Sequence, residues 1–149
     1  MSQTLPDLTA LSLEQLVAYT AGLPDATLEE LMQGPERSVL LDEYFDRMAR
    51  QADPNKIKDQ NAVVHFNITE RPDGGVDHYE MVIRDGACVI NRQPVETAKV
   101  TVSLNGVRFI KLISGTADGG KMFLTRKLKI SGDMIFGGKV LGWFDIPTP

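Results

Sequence analysis

The chain has 149 residues, 42% hydrophobic and 24% charged, with a net charge of −4. That is enough for one domain with a sizeable core, burying roughly 70% of the surface its unfolded chain would expose. The negative balance and the lack of a basic run exclude nucleic acid as a partner and make anionic membrane surfaces poor ones. The single cysteine, Cys88, excludes an internal disulfide and a cysteine metal cluster and fits a reducing compartment.

No window approaches the roughly 18 consecutive apolar residues of a membrane span. MSQTLPDLTALSLEQL lacks the basic start and apolar run of a secretory signal. The ending Asp-Ile-Pro-Thr-Pro carries no peroxisomal or endoplasmic-reticulum address, so a cytoplasmic location is expected.

Three helical signals open the chain. Ser12-Leu13-Glu14-Gln15 reads as a capping box, with a stop near Gly22. Thr27-Leu28-Glu29-Glu30 repeats the pattern, with a stop at Gly34. Pro35 then suits the first turn of a longer helix whose apolar stripe is Val39, Leu40, Tyr44, Phe45 and Met48. Asp42, Glu43 and Asp46 fall on its wet side, and Asp53-Pro54 ends it.

The period then drops to two. Val64, Phe66 and Ile68 alternate with His65 and Asn67, and a turn cluster covers Arg71 to Gly75. Tyr79, Met81 and Ile83 form the next apolar set. Asp85-Gly86 is a hairpin signal, after which Cys88 and Ile90 continue the pattern. Ala98, Val100, Val102 and Leu104 make a fourth strand. If Phe66 pairs with Tyr79, then His65 faces Glu80 and Asn67 faces His78 on a solvated outer face. Two histidines without a third ligand do not make a metal site.

From Leu104 to Phe144 the chain alternates bulky apolar groups with glycines. Asn105 caps a short helix through Ile113, closed by Gly115. A second short helix is expected over Gly120 to Thr125, a fifth strand over Lys127 to Ser131, and a final helix, capped by Asp133, from Met134 to about Gly142. The whole is α+β: a five-stranded, mainly antiparallel sheet with helices gathered on its apolar face. Gly115-Thr-Ala-Asp-Gly-Gly120-Lys121 matches a phosphate-binding loop until its last position. There Met122 replaces the magnesium-holding hydroxyl, and the loop follows a helix rather than a strand. Nothing calls for a cofactor or a metal, and no nucleophile, base and orienter assemble into a catalytic set.

Asp53-Pro-Asn-Lys-Ile57, Ala62-Val-Val-His-Phe-Asn-Ile68, Asp85-Gly86, Asn105-Gly-Val-Arg-Phe-Ile-Lys-Leu-Ile-Ser-Gly115 and Lys127-Leu-Lys-Ile-Ser-Gly-Asp-Met134 together resemble the sterol carrier protein-2 family. The resemblance covers about Pro35 to Phe144. It implies an SCP2-like lipid-binding domain over residues 35–149, with residues 1–34 a helical extension packed on the same domain. It also implies an apolar tunnel enclosed by the sheet and helices, and non-covalent binding and transfer of a fatty acid, fatty acyl-CoA or sterol-like lipid. No enzyme activity is implied.

Carried over by position, Phe66, Tyr79, Met81, Ile83, Phe109, Leu112, Met122, Phe123, Ile135 and Phe136 would line that tunnel. The lid-like stretch of glycine-jointed helices fits such a role, and methionines adapt to varied apolar shapes. The partner implied is a lipid or fatty-acyl ligand, with transient contact to a membrane. The missing peroxisomal ending makes a bacterial-style cytoplasmic lipid binder the closer analogy. The competing expectation is an interaction or regulatory domain that keeps the fold while Trp143 and Phe144 fill the tunnel.

Overall fold

The computed structural model describes residues 5–50, 54–117 and 119–136. After a 3-10 turn at Leu8–Ala10 come helices α1 (Leu13–Ala21), α2 (Asp25–Met32), α3 (Glu36–Arg50) and α4 (Pro54–Ile57). Strands β1 (Ala62–Thr69), β2 (Asp77–Arg84), β3 (Ala87–Asn91) and β4 (Val100–Asn105) follow, then α5 (Gly106–Ile113), α6 (Gly119–Leu124) and β5 (Lys129–Gly132). Asp53, the expected stop of the third helix, lies outside the described residues. So do residues 137–149, with the second half of the expected last helix and with Trp143 and Phe144.

Several ends form as their residues dictate. Ser12 Oγ accepts from the Gln15 amide at 3.1 Å and Gln15 Oε1 accepts from the Ser12 amide at 2.9 Å, the reciprocal box that satisfies two free donors. Asn105 Oδ1 accepts from the Arg108 amide at 2.8 Å, and Asp133 Oδ1 from the Phe136 amide at 2.9 Å. The second helix departs from expectation. It begins at Asp25, not after Thr27, with Pro24 in extended geometry at the cap and no side-chain cap bond. Asp25 sets a negative charge in the first turn, where the helix dipole favours it, so the hydroxyl at Thr27 is not needed as a cap.

The five strands are ordered β3-β2-β1-β4-β5. β1 and β2 pair antiparallel with Phe66 opposite Tyr79, His65 opposite Glu80 and Asn67 opposite His78. β2–β3 and β4–β5 are also antiparallel, but β1 and β4 run parallel, which makes the sheet mixed. The cause is topological. β2 already occupies one side of β1, and a strand that follows β3 reaches the other side in parallel sense only by crossing over. Residues 92–99 make that crossing. Lys99 donates its amide to the Val63 carbonyl at 2.8 Å as the segment arrives.

One face of the sheet is apolar on every strand: Val64, Phe66 and Ile68; Tyr79, Met81 and Ile83; Cys88 and Ile90; Val100, Val102 and Leu104; Ile130. Against it pack Phe45 and Met48 of α3 and Phe109, Ile110 and Ile113 of α5. Leu16, Val17, Leu28 and Met32 of the first two helices join the same core. Polar ties fix them there. The Thr20 and Tyr44 hydroxyls share a buried hydrogen bond of 2.6 Å, and Arg47 Nη2 donates to the Leu8 and Leu11 carbonyls at 2.9 and 2.5 Å.

Arg37 is the buried joint at one end of the sheet. Its Nε donates to Asp77 Oδ2 at 2.8 Å, and its Nη2 to the Ile68 and Thr69 carbonyls at 2.9 and 3.0 Å. The guanidinium is thus desolvated but fully occupied, the condition under which a buried charge is tolerated.

Candidate functional site

The residues singled out by sequence divide into three groups. Phe66, Tyr79, Met81, Ile83 and Phe109 are all buried on the apolar layer. Phe45 fills the space among three of them. Its ring stacks on Tyr79 with centroids 3.9 Å apart and on Phe109 at 4.9 Å, and meets Phe66 edge-on at 5.2 Å. Sequence reasoning placed Phe45 on the apolar stripe of its helix and did not assign it to this space.

The second group, Leu112, Met122 and Phe136, lies apart from that aromatic cluster, with Met122 just before β5 and Phe136 just after it. Leu112 is half-buried, while Met122 and Phe136 are buried. The Met122 carbonyl accepts from the Lys127 and Leu128 amides at 2.7 and 3.1 Å, so the chain doubles back under α6. Leu128 is thereby buried in the same core, a residue the sequence reading did not single out. The Lys99 ammonium stands 4.3 Å from the Phe136 ring centroid.

Phe123 and Ile135 form the third group and turn outward, 37% and 77% exposed. On a short helix, a residue next to a buried one faces a different side, and Met122 takes the inward position.

Two clefts flank α6. One, of about 690 Å³, lies between α2, α5 and α6. It has Met32, Val107 and Met122 among its walls, with Arg37, Arg108, Lys111, Lys121 and Lys127, and Glu29 and Glu70 among its acids. The other, of about 670 Å³, is lined by Phe123, Leu124, Leu128 and Ile130 with Arg126 and Lys129, beside β4 and β5. Gly115, at φ +75°, turns the chain after α5, the helix-ending role its position predicts.

Two weak acids of the apolar layer, the Tyr79 hydroxyl and the Cys88 thiol, are held protonated. The Tyr79 hydroxyl donates to Asp42 Oδ1 at 2.6 Å. Burial first, and then the Asp42 carboxylate, push its pKa far above that of free tyrosine. Arg92 pairs with the same carboxylate and lies 4.5 Å over the Tyr79 ring. Asp42 is therefore a partner of the core's edge, where sequence assigned it only to a wet helix face. Burial raises the Cys88 thiol to about 11, so the thiol form prevails at neutral pH.

The outer face corrects a second expectation. Glu80 is 0% exposed rather than solvated. The crossing segment lies over it: the Val95 and Glu96 amides both donate to Oε2 at 3.0 Å, Asn91 Nδ2 donates to Oε1 at 3.1 Å, and His65 Nε2 sits 2.9 Å from Oε2. Burial opposes the charge, but these donors, the Glu96 amide foremost, outweigh it and hold the carboxyl at about 2. His78 Nδ1 lies 2.8 Å from Asn67 Oδ1. Among the described residues no group of three or more histidine, cysteine or acidic side chains is placed to hold a metal.

Comparison with known proteins agrees with this architecture. A fatty acid-binding protein of Yarrowia lipolytica is 26% identical over 105 residues, 70% of this chain and 81% of the relative. Sterol Carrier Protein-2 of Aedes aegypti, solved in complex with palmitate, superposes with a TM-score of 0.52 at 17% identity, over 68% of this chain and 90% of that one. The sec-alkylsulfatase Pisa1 from Pseudomonas sp. superposes with a TM-score of 0.63 at 21% identity, over 76% of this chain. The chain spans only 17% of the sulfatase's length. At these identities the structural likenesses speak for the fold. The family model of the SCP-2 sterol transfer family matches residues 41–145, and the chain belongs to that family.

Proposed function

We propose that this chain binds the apolar part of a lipid, a fatty acid, fatty acyl-CoA or sterol-like molecule, without covalent chemistry, and hands it on. The observation that carries this reading is the sheet face itself. It is apolar on all five strands, and its few polar groups are occupied: Asp77 by Arg37, the Tyr79 hydroxyl by Asp42, and Cys88 as a protonated thiol. Such a face gives an acyl chain a dry surface and offers a reacting bond nothing. Each methylene buried there gains about 0.8 kcal/mol, so a long tail needs no strong polar anchor.

Family membership and the palmitate-bound mosquito protein support the same ligand class. We assign the tail to the β4–β5 side of the layer, around Met122 and Leu128, because Phe45 already occupies the space among Phe66, Tyr79 and Phe109. A reducing, cytoplasmic setting fits the one free thiol.

A second reading is favoured by Phe45 alone: a domain of this fold whose interior is filled, serving a protein partner. Native extraction followed by mass spectrometry, together with titration of a fluorescent fatty acid, separates the two. Co-purified lipid and saturable micromolar probe binding are expected. A lipid-free protein that ignores both fatty-acid and sterol probes would leave the filled-interior reading standing.

A further inference from the structure

The end of α6 holds its chain in a conformation that its residue disfavours. The Lys127 amide reaches back to the Met122 carbonyl and the Arg126 amide to the Phe123 carbonyl at 3.1 Å, the paired bonds of a Schellman ending. In that motif the residue at the left-handed position is usually glycine. Here it is Arg126, at φ +62°, in a stretch where glycine stands at 119, 120 and 132. A side chain with a Cβ is strained there, and such strain is kept where the side chain is needed.

What Arg126 joins is a patch of consistent chemistry. Residues 119–132 contain Lys121, Arg126, Lys127 and Lys129 and no acid, in a chain whose net charge is −4. The remaining surface is correspondingly more negative. Among the described residues no carboxylate pairs with Arg126, Lys127 or Lys129. Between these cations Leu124 is 80% exposed, and Phe123 leans into the same open crevice as Leu124 and Ile130. Whole-chain charge argues against an anionic surface, but its distribution reverses that at this one place.

We infer that the α6–β5 corner docks on an anionic phospholipid bilayer, with Phe123 and Leu124 entering the headgroup boundary and Arg126, Lys127 and Lys129 meeting lipid phosphates. Apolar side chains ringed by basic ones are the composition of an interfacial anchor. The acidic remainder orients the molecule by repulsion, so this corner faces the membrane and the cleft on the other side of α6 stands next to it.

The test is co-sedimentation of the full chain with vesicles of phosphatidylcholine alone and of equimolar phosphatidylcholine and phosphatidylglycerol. Binding is expected to the mixed vesicles only, and is expected to weaken as salt is raised. Arg126→Gly separates docking from structure. It relieves the backbone, so Tm rises by about 2–4 °C, while vesicle affinity falls about fivefold. Leu124→Glu lowers affinity about tenfold or more with Tm unchanged. Parent protein that binds neither vesicle overturns the proposal and points to an acidic protein surface instead. So do variants that bind like the parent. Fluorescent fatty-acid titration of the same variants keeps this outcome apart from lipid loading, which docking residues outside the apolar layer leave unchanged.

Discussion

The rings of Phe45 and Tyr79 stack with centroids 3.9 Å apart and planes 14° from parallel. Phe45 thereby sits where a tunnel through Phe66, Tyr79 and Phe109 would pass. Truncation at this position tests what the ring does. Phe45→Ala should cost about 3–5 kcal/mol, the range for removing a buried phenylalanine. The space it leaves is lined by three aromatic rings and stays dry, so a fatty acid can enter it. Saturating palmitate should therefore raise the Tm of the variant more than that of the parent, by the linkage between ligand binding and stability. Thermal melts with and without palmitate check this; equal shifts would show that the space takes no ligand.

Glu80 gives a stability that depends on acid. Its folded-state pKa lies at about 2, below the 4.5 of an ordinary glutamate. The unfolded chain therefore takes up a proton first as pH falls. The stabilisation is fully present above pH 4.5 and is lost progressively as pH drops from there through about 2. Glu80→Gln should lose about 2–4 kcal/mol at neutral pH, because a charged acceptor of several hydrogen bonds becomes a weaker one. It should also show a shallower fall over the acid window. Denaturant midpoints from neutral pH downwards measure both.

Much of this was legible in advance. The alternation of Phe66, Tyr79 and Ile90 determines which face each strand turns inward, and once Phe66 is set opposite Tyr79 it puts His65 opposite Glu80. Local caps at Ser12, Asn105 and Asp133 were readable because their partners lie three residues away. The rest depends on contacts distant in sequence. Glu80 reads as a surface residue until a crossing segment from residues 92–99 covers it, and nothing local says where that segment runs. Phe45 reads as one member of a helical stripe; only the placement of α3 over β1 and β2 puts its ring against Tyr79. Thr27 carries a capping pattern that the neighbouring Pro24-Asp25 pair pre-empts. Arg126 is invisible as a left-handed residue, since local preference would put glycine there.

Arg37 and Asp77 bind the start of β2 to the start of α3. Because Arg37 also donates to the Ile68 and Thr69 carbonyls, its removal strands two carbonyl acceptors as well as a carboxylate oxygen. Arg37→Ala should cost about 3–5 kcal/mol, whereas replacing both partners with apolar residues of similar size should cost less than the two single replacements together. A double-mutant cycle by chemical denaturation gives the coupling; strict additivity would contradict the contact.

Cys88 should be slow to react. With its pKa at about 11, roughly one thiol in a thousand is ionised at pH 8. A thiol reagent such as dithiobisnitrobenzoate should label it at a small fraction of the rate of free cysteine, rising to the free rate in denaturant. Fast labelling of the native protein would mean that the strand edge opens.

Met122 decides which end of the layer holds the tail. It is buried between the cleft that it lines and the core that it joins, with Leu128 turned in beside it by the doubled-back chain. A larger side chain there fills space that a lipid would use. Met122→Trp should cost about 1–3 kcal/mol through overpacking. It should weaken fluorescent fatty-acid binding about tenfold or more, since excluding two or three methylenes removes about 2 kcal/mol of burial. Phe45→Ala should not weaken it. Probe titrations of the two variants, at a temperature where both are folded, show a loss in Met122→Trp alone if the tail lies on the β4–β5 side. If the tail lies instead against Phe66 and Tyr79, Met122→Trp binds like the parent, because its bulk is then remote from the ligand.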